Sequence, residues 1–285
     1  MDQIKGVFNG NFDSIENIKI SPFSRAYTFS DSIYEVVPFY KSNIIAFNLH
    51  IERLLYSAEA LNINVNIEII EREIKKLISS CEKQSGYVYY QVTRGVDSVR
   101  SHMYSNSLEV ETFGYVLPFS FKSKSLKVMI CEDIRWGRCD IKSTSLLGNV
   151  MNMNSSKDEG CDEVIMHKDN VLTEAGASNV FFTKNDFICT PKLSKSILPG
   201  ITRSLLIDEL NKAKLPIIEG IFSLEDLSKA NAVWLTSSTK GISLVDEIIN
   251  LESTLQTNDP LFIKSKSLFD NKFFRILDLA GCEKA

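Results

Sequence analysis

Histidine is scarce in this 285-residue chain, which has 3, and its 6 cysteines, Cys81, Cys131, Cys139, Cys161, Cys189 and Cys282, include no C-x-x-C pair. A zinc-like cluster is therefore not expected, and the thiols read as buried and free. Only 7 prolines and 13 glycines accompany a hydrophobic fraction of 44%, which excludes collagen, low complexity and disorder. No apolar stretch approaches the roughly 18 residues that span a bilayer. No basic segment leads into an apolar core at the N-terminus, so neither an anchor nor a leader is expected. Charge of one sign is also missing in bulk: 32 Lys and Arg against 36 Asp and Glu give −4, without a long run of either. A broad electrostatic grip on nucleic acid or an anionic membrane is not expected. The expectation is a cytoplasmic, reducing location and a small-molecule partner.

What remains is an α/β pattern divided in two. Residues 4–8 and 35–40 are β-rich, the second interrupted by Pro38 as at an edge or an irregular ladder. Asn48 reads as an N-cap, followed by Ile51, Leu54, Leu55, Ala58 and Leu61 at helical spacing. A second helix carries Ile67, Ile70, Ile74, Leu77, Ile78 and Cys81 on one face and is expected to stop at Gly86, before a strand at 87–94. Pro118 and a Ser/Lys-rich stretch place a linker at residues 118–125, between a small domain at 1–117 and a larger one at 126–285. The second domain should hold a strand at 127–132, a helix at 144–159 and a hairpin turning at Lys168-Asp169-Asn170. A strand at 179–183, a helix at 202–213, a strand at 232–235 and a closing helix opened by Asp259-Pro260 and running towards Gly281 complete it.

Four features carry potential chemistry. Lys142 precedes a helix expected to open at Ser143/Thr144, where the positive end of the macrodipole favours a neutral amine. Glu174 precedes Ala175-Gly176-Ala177-Ser178, a turn with so little bulk that a flat ring could approach its backbone. Gly200-Ile201-Thr202 sets free amides at a helix start, with the hydroxyls of Thr236-Ser237-Ser238-Thr239 and the cation of Arg53 as further anion ligands. Arg100 and His102, two apart, leave an extended segment on one side and suit a carboxylate. Each alone also reads as ordinary structure: a solvated lysine, a tight turn, a capped helix, a polar loop. Tyr34 reads equally as a core aromatic. Together they match pyridoxal 5'-phosphate, which needs an amine, an acid for its pyridine nitrogen and a phosphate cup.

The sequence resembles the fold-type IV (class IV) aminotransferases, and among them the D-amino-acid-specific members, over roughly residues 5 to 250. The resemblance rests on Asp133-Ile134-Arg135-Trp136, Lys142 through Ser145-Leu146-Leu147-Gly148-Asn149, Thr173-Glu174, Ser178-Asn179-Val180-Phe181, Gly200-Ile201-Thr202-Arg203 and Thr236-Ser237-Ser238-Thr239. Tyr34-Glu35-Val36-Val37, His50-Ile51-Glu52-Arg53-Leu54, Ser57-Ala58-Glu59 and Gln91-Val92-Thr93-Arg94-Gly95 add to it. It implies a two-domain α/β (α+β) fold with a small N-terminal α/β domain and a larger C-terminal pseudobarrel domain. It further implies that Lys142 is the Schiff-base lysine and proton carrier and that Glu174 holds the pyridine nitrogen protonated. Arg53, Ile201, Thr202, Ser237 and Ser238 would bind the phosphate, and Arg138 would order the region near the ring. Tyr34, Arg100 and His102 would form the substrate carboxylate trap, the last two reaching across a homodimer. The implied reaction is transamination between a D-amino acid such as D-alanine and a 2-oxo acid such as 2-oxoglutarate or pyruvate. Branched-chain L-amino-acid transamination, aminodeoxychorismate lysis and non-catalytic cofactor binding are the alternatives. Two departures stand out: Ser30-Asp31-Ser32 replaces the family's Gly-Asp-Gly, and the turn after Glu174 has lost hydroxyls.

Overall fold

Along residues 85–93 half-buried and buried positions alternate, so one face of the strand is covered and the other is not. The computed structural model describes residues 3–121 and 124–279. It divides the chain into two units, one built from the residues up to Ser120 with Ile141–Ser145, the other from Phe121–Asp140 and the residues from Leu146 onward. Cys282, Gly281 and part of the expected linker, residues 122–123, lie outside the described residues.

The first unit contains β1 (Lys5–Phe8), β2 (Asn11–Ser14), α1 (Arg25–Phe29), β3 (Ser32–Tyr40), β4 (Asn43–Ile44), α2 (Phe47–Ala60), α3 (Ile67–Ser79), β5 (Ser85–Thr93) and β6 (Glu111–Pro118). Its six strands form one sheet in the order β2-β1-β6-β5-β3-β4, antiparallel throughout. Beyond Pro38 the outer side of β3 pairs with β4 only at Phe39 and Tyr40. Ile70, Ile74 and Leu77 of α3 and Leu54 and Ala58 of α2 close the core over Ile33, Val37, Val88, Tyr90 and Val92.

Three expectations change here. Ala46, in the left-handed region at φ 50°, is the N-cap of α2, so Asn48 lies inside the helix, because the chain turns directly out of β4. The helix α3, capped by Asn66 through the Ile69 N–H, ends at Ser79, and Gly86 lies within β5. There a Cβ would run into Phe39 and the Leu117 carbonyl, so glycine serves close strand packing. The segment Ile141–Ser145, expected in the larger domain, packs with the first unit. Tyr34 N–H donates to the Lys142 carbonyl and Thr144 N–H to the Ser32 carbonyl, while Ile141 enters the core.

The second unit holds β7 (Leu126–Glu132), α4 (Leu147–Asp158), β8 (Glu163–Lys168), β9 (Val171–Ala175), β10 (Asn179–Lys184), β11 (Phe187–Pro191), α5 (Ile201–Lys212), β12 (Ile217–Gly220), α6 (Leu224–Ser228), β13 (Ala232–Ser237), β14 (Gly241–Ile248) and α7 (Pro260–Leu279). Eight strands run β12-β11-β10-β13-β14-β7-β8-β9, with β11–β12, β14–β7 and β7–β8 parallel and the rest antiparallel. Val128, Ile165, Val180, Phe182, Val233 and Leu235 line one core. Phe181, Trp234, Leu206, Leu210 and Phe262 line another, under α5 and α7. Asp169 and Asn170, both at positive φ, make the β8–β9 hairpin as their types predict. Asp259 caps α7 by accepting from the Phe262 N–H at 2.8 Å. No helix among the described residues is long and apolar enough to cross a membrane. The five described cysteines are all free; Cys139, Cys161 and Cys189 are buried, while Cys81 and Cys131 are half-buried.

Candidate functional site

In the first unit, helical spacing brings His50, Arg53 and Ser57 to one face of α2. Glu35, from the facing strand β3, accepts from Arg53 Nε and Nη2 at 2.8 Å each and pairs with His50 Nδ1 at 2.7 Å. All three side chains are buried. Burial disfavours the Glu35 anion, but the Arg53 charge and hydrogen bonds outweigh it and hold the carboxyl far below its ordinary range. Burial likewise lowers the His50 pKa, against the pull of Glu35.

Ser57 Oγ accepts the Lys142 N–H at 3.1 Å, tying the lysine to the same helix face. Lys142 Nζ lies 4.3 Å from the centre of the Tyr34 ring, and Tyr34 stacks on Tyr89 at 5.5 Å. The expected dipole effect on Lys142 does not hold, because α4 begins only at Leu147. Residues 142–144 lie along β3 instead, and the Thr144 hydroxyl is engaged with Ser32 Oγ and the Ser30 carbonyl, so it cannot cap a helix. An aromatic face replaces a helix end beside the amine. Ser30 itself adopts φ 52° without being glycine, a strained choice for an L-residue. Asp31 compensates by accepting from Arg25 Nε and Arg94 Nε, both at 2.8 Å.

Arg100 and His102 lie on the exposed connection between β5 and β6. Their side chains meet on one ring, Phe29, with the Arg100 guanidinium 4.7 Å and the His102 ring 5.3 Å from its centre. Arg25 Nη1 holds the loop by donating to the Ser101 carbonyl at 2.7 Å.

In the second unit Glu174 is buried on β9. Its carboxylate accepts from Arg135 Nη1, from Asn179 Nδ2 at 3.1 Å and from the Leu198 N–H at 3.2 Å. Arg135 is shared with Asp133, to which Nη2 donates at 2.7 Å. Burial pushes the Glu174 carboxyl up to about 7, against the pull of Arg135 and the Leu198 amide, and the Asp133 charge adds to the rise. Arg138 instead pairs with Asp140 through Nε and Nη2 at 2.9 Å each. Arg135 and Asn179 stand in the sequence motifs, but nothing in their spacing marked them as partners of Glu174. A Cβ on Gly176 would meet the Met153 and Glu163 side chains, so the glycine lets both pack closely against the turn.

The candidate anion ligands of this unit lie near one end of β10 and β13. Asn179 pairs across with Thr236, and its Oδ1 comes so close to Gly200 that only glycine fits there. Gly200 is the N-cap of α5 and has no side chain to cap the helix, so the buried Ile201 and Thr202 amides lack helical acceptors. Thr236 Oγ1 is buried without a hydrogen-bond partner. Such an orphan is free to serve a ligand. Ser237 and Ser238 follow, half-buried, at the end of β13.

These features fit pyridoxal phosphate: an amine beside an aromatic ring, a buried acid balanced near neutrality, and an anion cup with an unmet hydroxyl. The amino-transferase class IV family model matches residues 32–248. D-alanine aminotransferase of Listeria monocytogenes is 32% identical over 253 residues, covering 86% of this chain and 88% of that protein. Among solved structures, a branched-chain aminotransferase from Thermoproteus uzoniensis superposes with a TM-score of 0.86 at 20% identity, covering 96% of this chain and 98% of that one. A putative 4-amino-4-deoxychorismate lyase from Legionella pneumophila reaches 0.81 at 22% identity, covering 90% and 96%. The chain belongs to the class IV aminotransferases, and is thus a pyridoxal-phosphate-dependent transaminase.

Proposed function

We propose that the protein transfers an amino group between a D-amino acid, with D-alanine as the simplest substrate, and a 2-oxo acid such as 2-oxoglutarate or pyruvate. The observation that carries this reading is the meeting of Arg100 and His102 on the Phe29 ring, which presents two carboxylate donors together. The D-alanine aminotransferase relatives support it. In this reading Tyr34 joins them in recognising the substrate carboxylate. The exposed loop serves a second subunit, which makes the protein a homodimer acting in the cytoplasm.

Pyridoxal phosphate, when bound, supplies an electron sink that acidifies the substrate α-carbon. Lys142 is the residue that would hold it, through Nζ, and the same nitrogen would carry the α-proton. The Tyr34 ring, 4.3 Å from Nζ, forms one wall beside this nitrogen. Glu174 would pair with the ring nitrogen, where a carboxyl balanced near neutrality would share a proton readily. Arg53, fixed by Glu35, the Ile201 and Thr202 amides and the Ser237 and Ser238 hydroxyls are the groups that would hold the phosphate. Arg138, stiffened by Asp140, orders the segment leading to Lys142.

The test is amino-group transfer from D-alanine, L-leucine and aminodeoxychorismate in parallel. Turnover of D-alanine with 2-oxoglutarate is expected, with Lys142→Ala at least about a thousandfold slower. Preference for L-leucine, or pyruvate release from aminodeoxychorismate alone, would replace the reading with one of those activities.

A further inference from the structure

Glu163, the first residue of β8, is a fully buried carboxylate that the reaction does not use. A buried carboxylate needs a cation, and the cation that meets it is Lys240 through Nζ–Oε2, with Ser178 Oγ donating to the same oxygen at 3.4 Å. Lys240 belongs to the connection between β13 and β14, closed by the Ser237–Gly241 pair with Gly241 at φ 61°. It is fixed at two further points: its N–H donates to Ser237 Oγ at 3.1 Å, and its carbonyl accepts from Ser243 Oγ at 3.4 Å. A hydroxyl has one proton and two lone pairs, so accepting from Lys240 turns the Ser237 O–H away from that amide and leaves it able to donate. Ser237 follows Thr236, whose Oγ1 is buried and unpartnered.

We propose that Lys240, anchored on Glu163, is a positioning residue that shapes the 237–240 turn so that the Ser237 hydroxyl donates to the cofactor phosphate. The inference rests on the reading of Ser237 and its neighbours as a phosphate cup. Lys240 acts through Ser237 and the turn and does not itself touch the phosphate.

The experiment is absorbance titration of the full-length protein, freed of cofactor, with pyridoxal 5'-phosphate and separately with pyridoxal, which lacks the phosphate. Lys240→Met is expected to raise the Kd for the phosphorylated form roughly tenfold while leaving that for pyridoxal within about twofold. Lys240→Arg, which can still reach Glu163, should restore most of the loss. A parent protein that binds both forms equally overturns the cup itself, and the inference with it. A parent that discriminates, paired with a Lys240→Met variant that weakens both forms alike or neither, overturns the role of Lys240 alone. Lys240→Met leaves the buried Glu163 without its cation and is expected to lower stability, so unchanged pyridoxal binding doubles as the check that the variant is folded.

Discussion

Two glutamates, each buried and each touching an arginine, stand on opposite sides of the ordinary carboxylate range. Glu35 takes two donors from Arg53 and one contact from His50, and its carboxyl stays ionised to very low pH. Glu174 receives one bond from Arg135, whose other donors go to Asp133 and the Ser196 carbonyl, and its carboxyl rises to about 7. Burial penalises both. The difference is how much of the cation each carboxylate has to itself, because an arginine shared with a second acid leaves the first under-compensated. One glutamate is thereby a fixed anion that orients a cation, and the other a group able to exchange a proton.

The largest effect should come from breaking the first arrangement. Glu35→Gln leaves the Arg53 guanidinium buried without its counter-charge, and chemical denaturation should show a loss of about 3–5 kcal/mol at neutral pH. The Glu35 contribution is fully present above the ordinary carboxylate range and is lost as pH falls towards its depressed folded value. An unchanged midpoint would show that Arg53 does not depend on Glu35.

Glu174 should behave in the opposite sense. Its folded carboxyl keeps the proton up to about 7, whereas the ordinary value is 4.5. The cofactor-free protein should therefore lose stability as pH rises through that window, by up to roughly 3 kcal/mol. Glu174→Gln should flatten this slope, and a slope that survives the substitution assigns it to another group. A smaller effect sharpens the comparison: Asp133→Asn removes the competing charge and frees Arg135 for Glu174. The Glu174 midpoint, followed by carboxyl carbon chemical shift, should fall by about one unit. A rise would show that Asp133 holds Arg135 in place more than it competes for it.

Much of the frame was legible because it rests on local rules. The period of α3 is written in Ile70, Ile74 and Leu77, and the β8–β9 turn in Asp169-Asn170. Elements whose residues do not alternate or repeat clearly escaped, such as β11, with Cys189 and Pro191 in five residues, and the four-residue β12. The helix dipole assigned to Lys142 failed for a non-local reason, since pairing with β3 holds residues 142–144 extended and no nearest-neighbour rule sees that strand. The candidate ligands stood in the sequence, but their supports did not. Glu35 beside Arg53, Arg135 on Glu174 and Glu163 under Lys240 are contacts between distant segments that only the fold creates.

Borohydride reduction of the purified protein loaded with pyridoxal phosphate, followed by peptide mass spectrometry, tests the central claim most directly. A single phosphopyridoxyl group on the peptide carrying Lys142, absent from Lys142→Ala, is the predicted result. A group fixed to any other lysine, or none at all, would contradict the account.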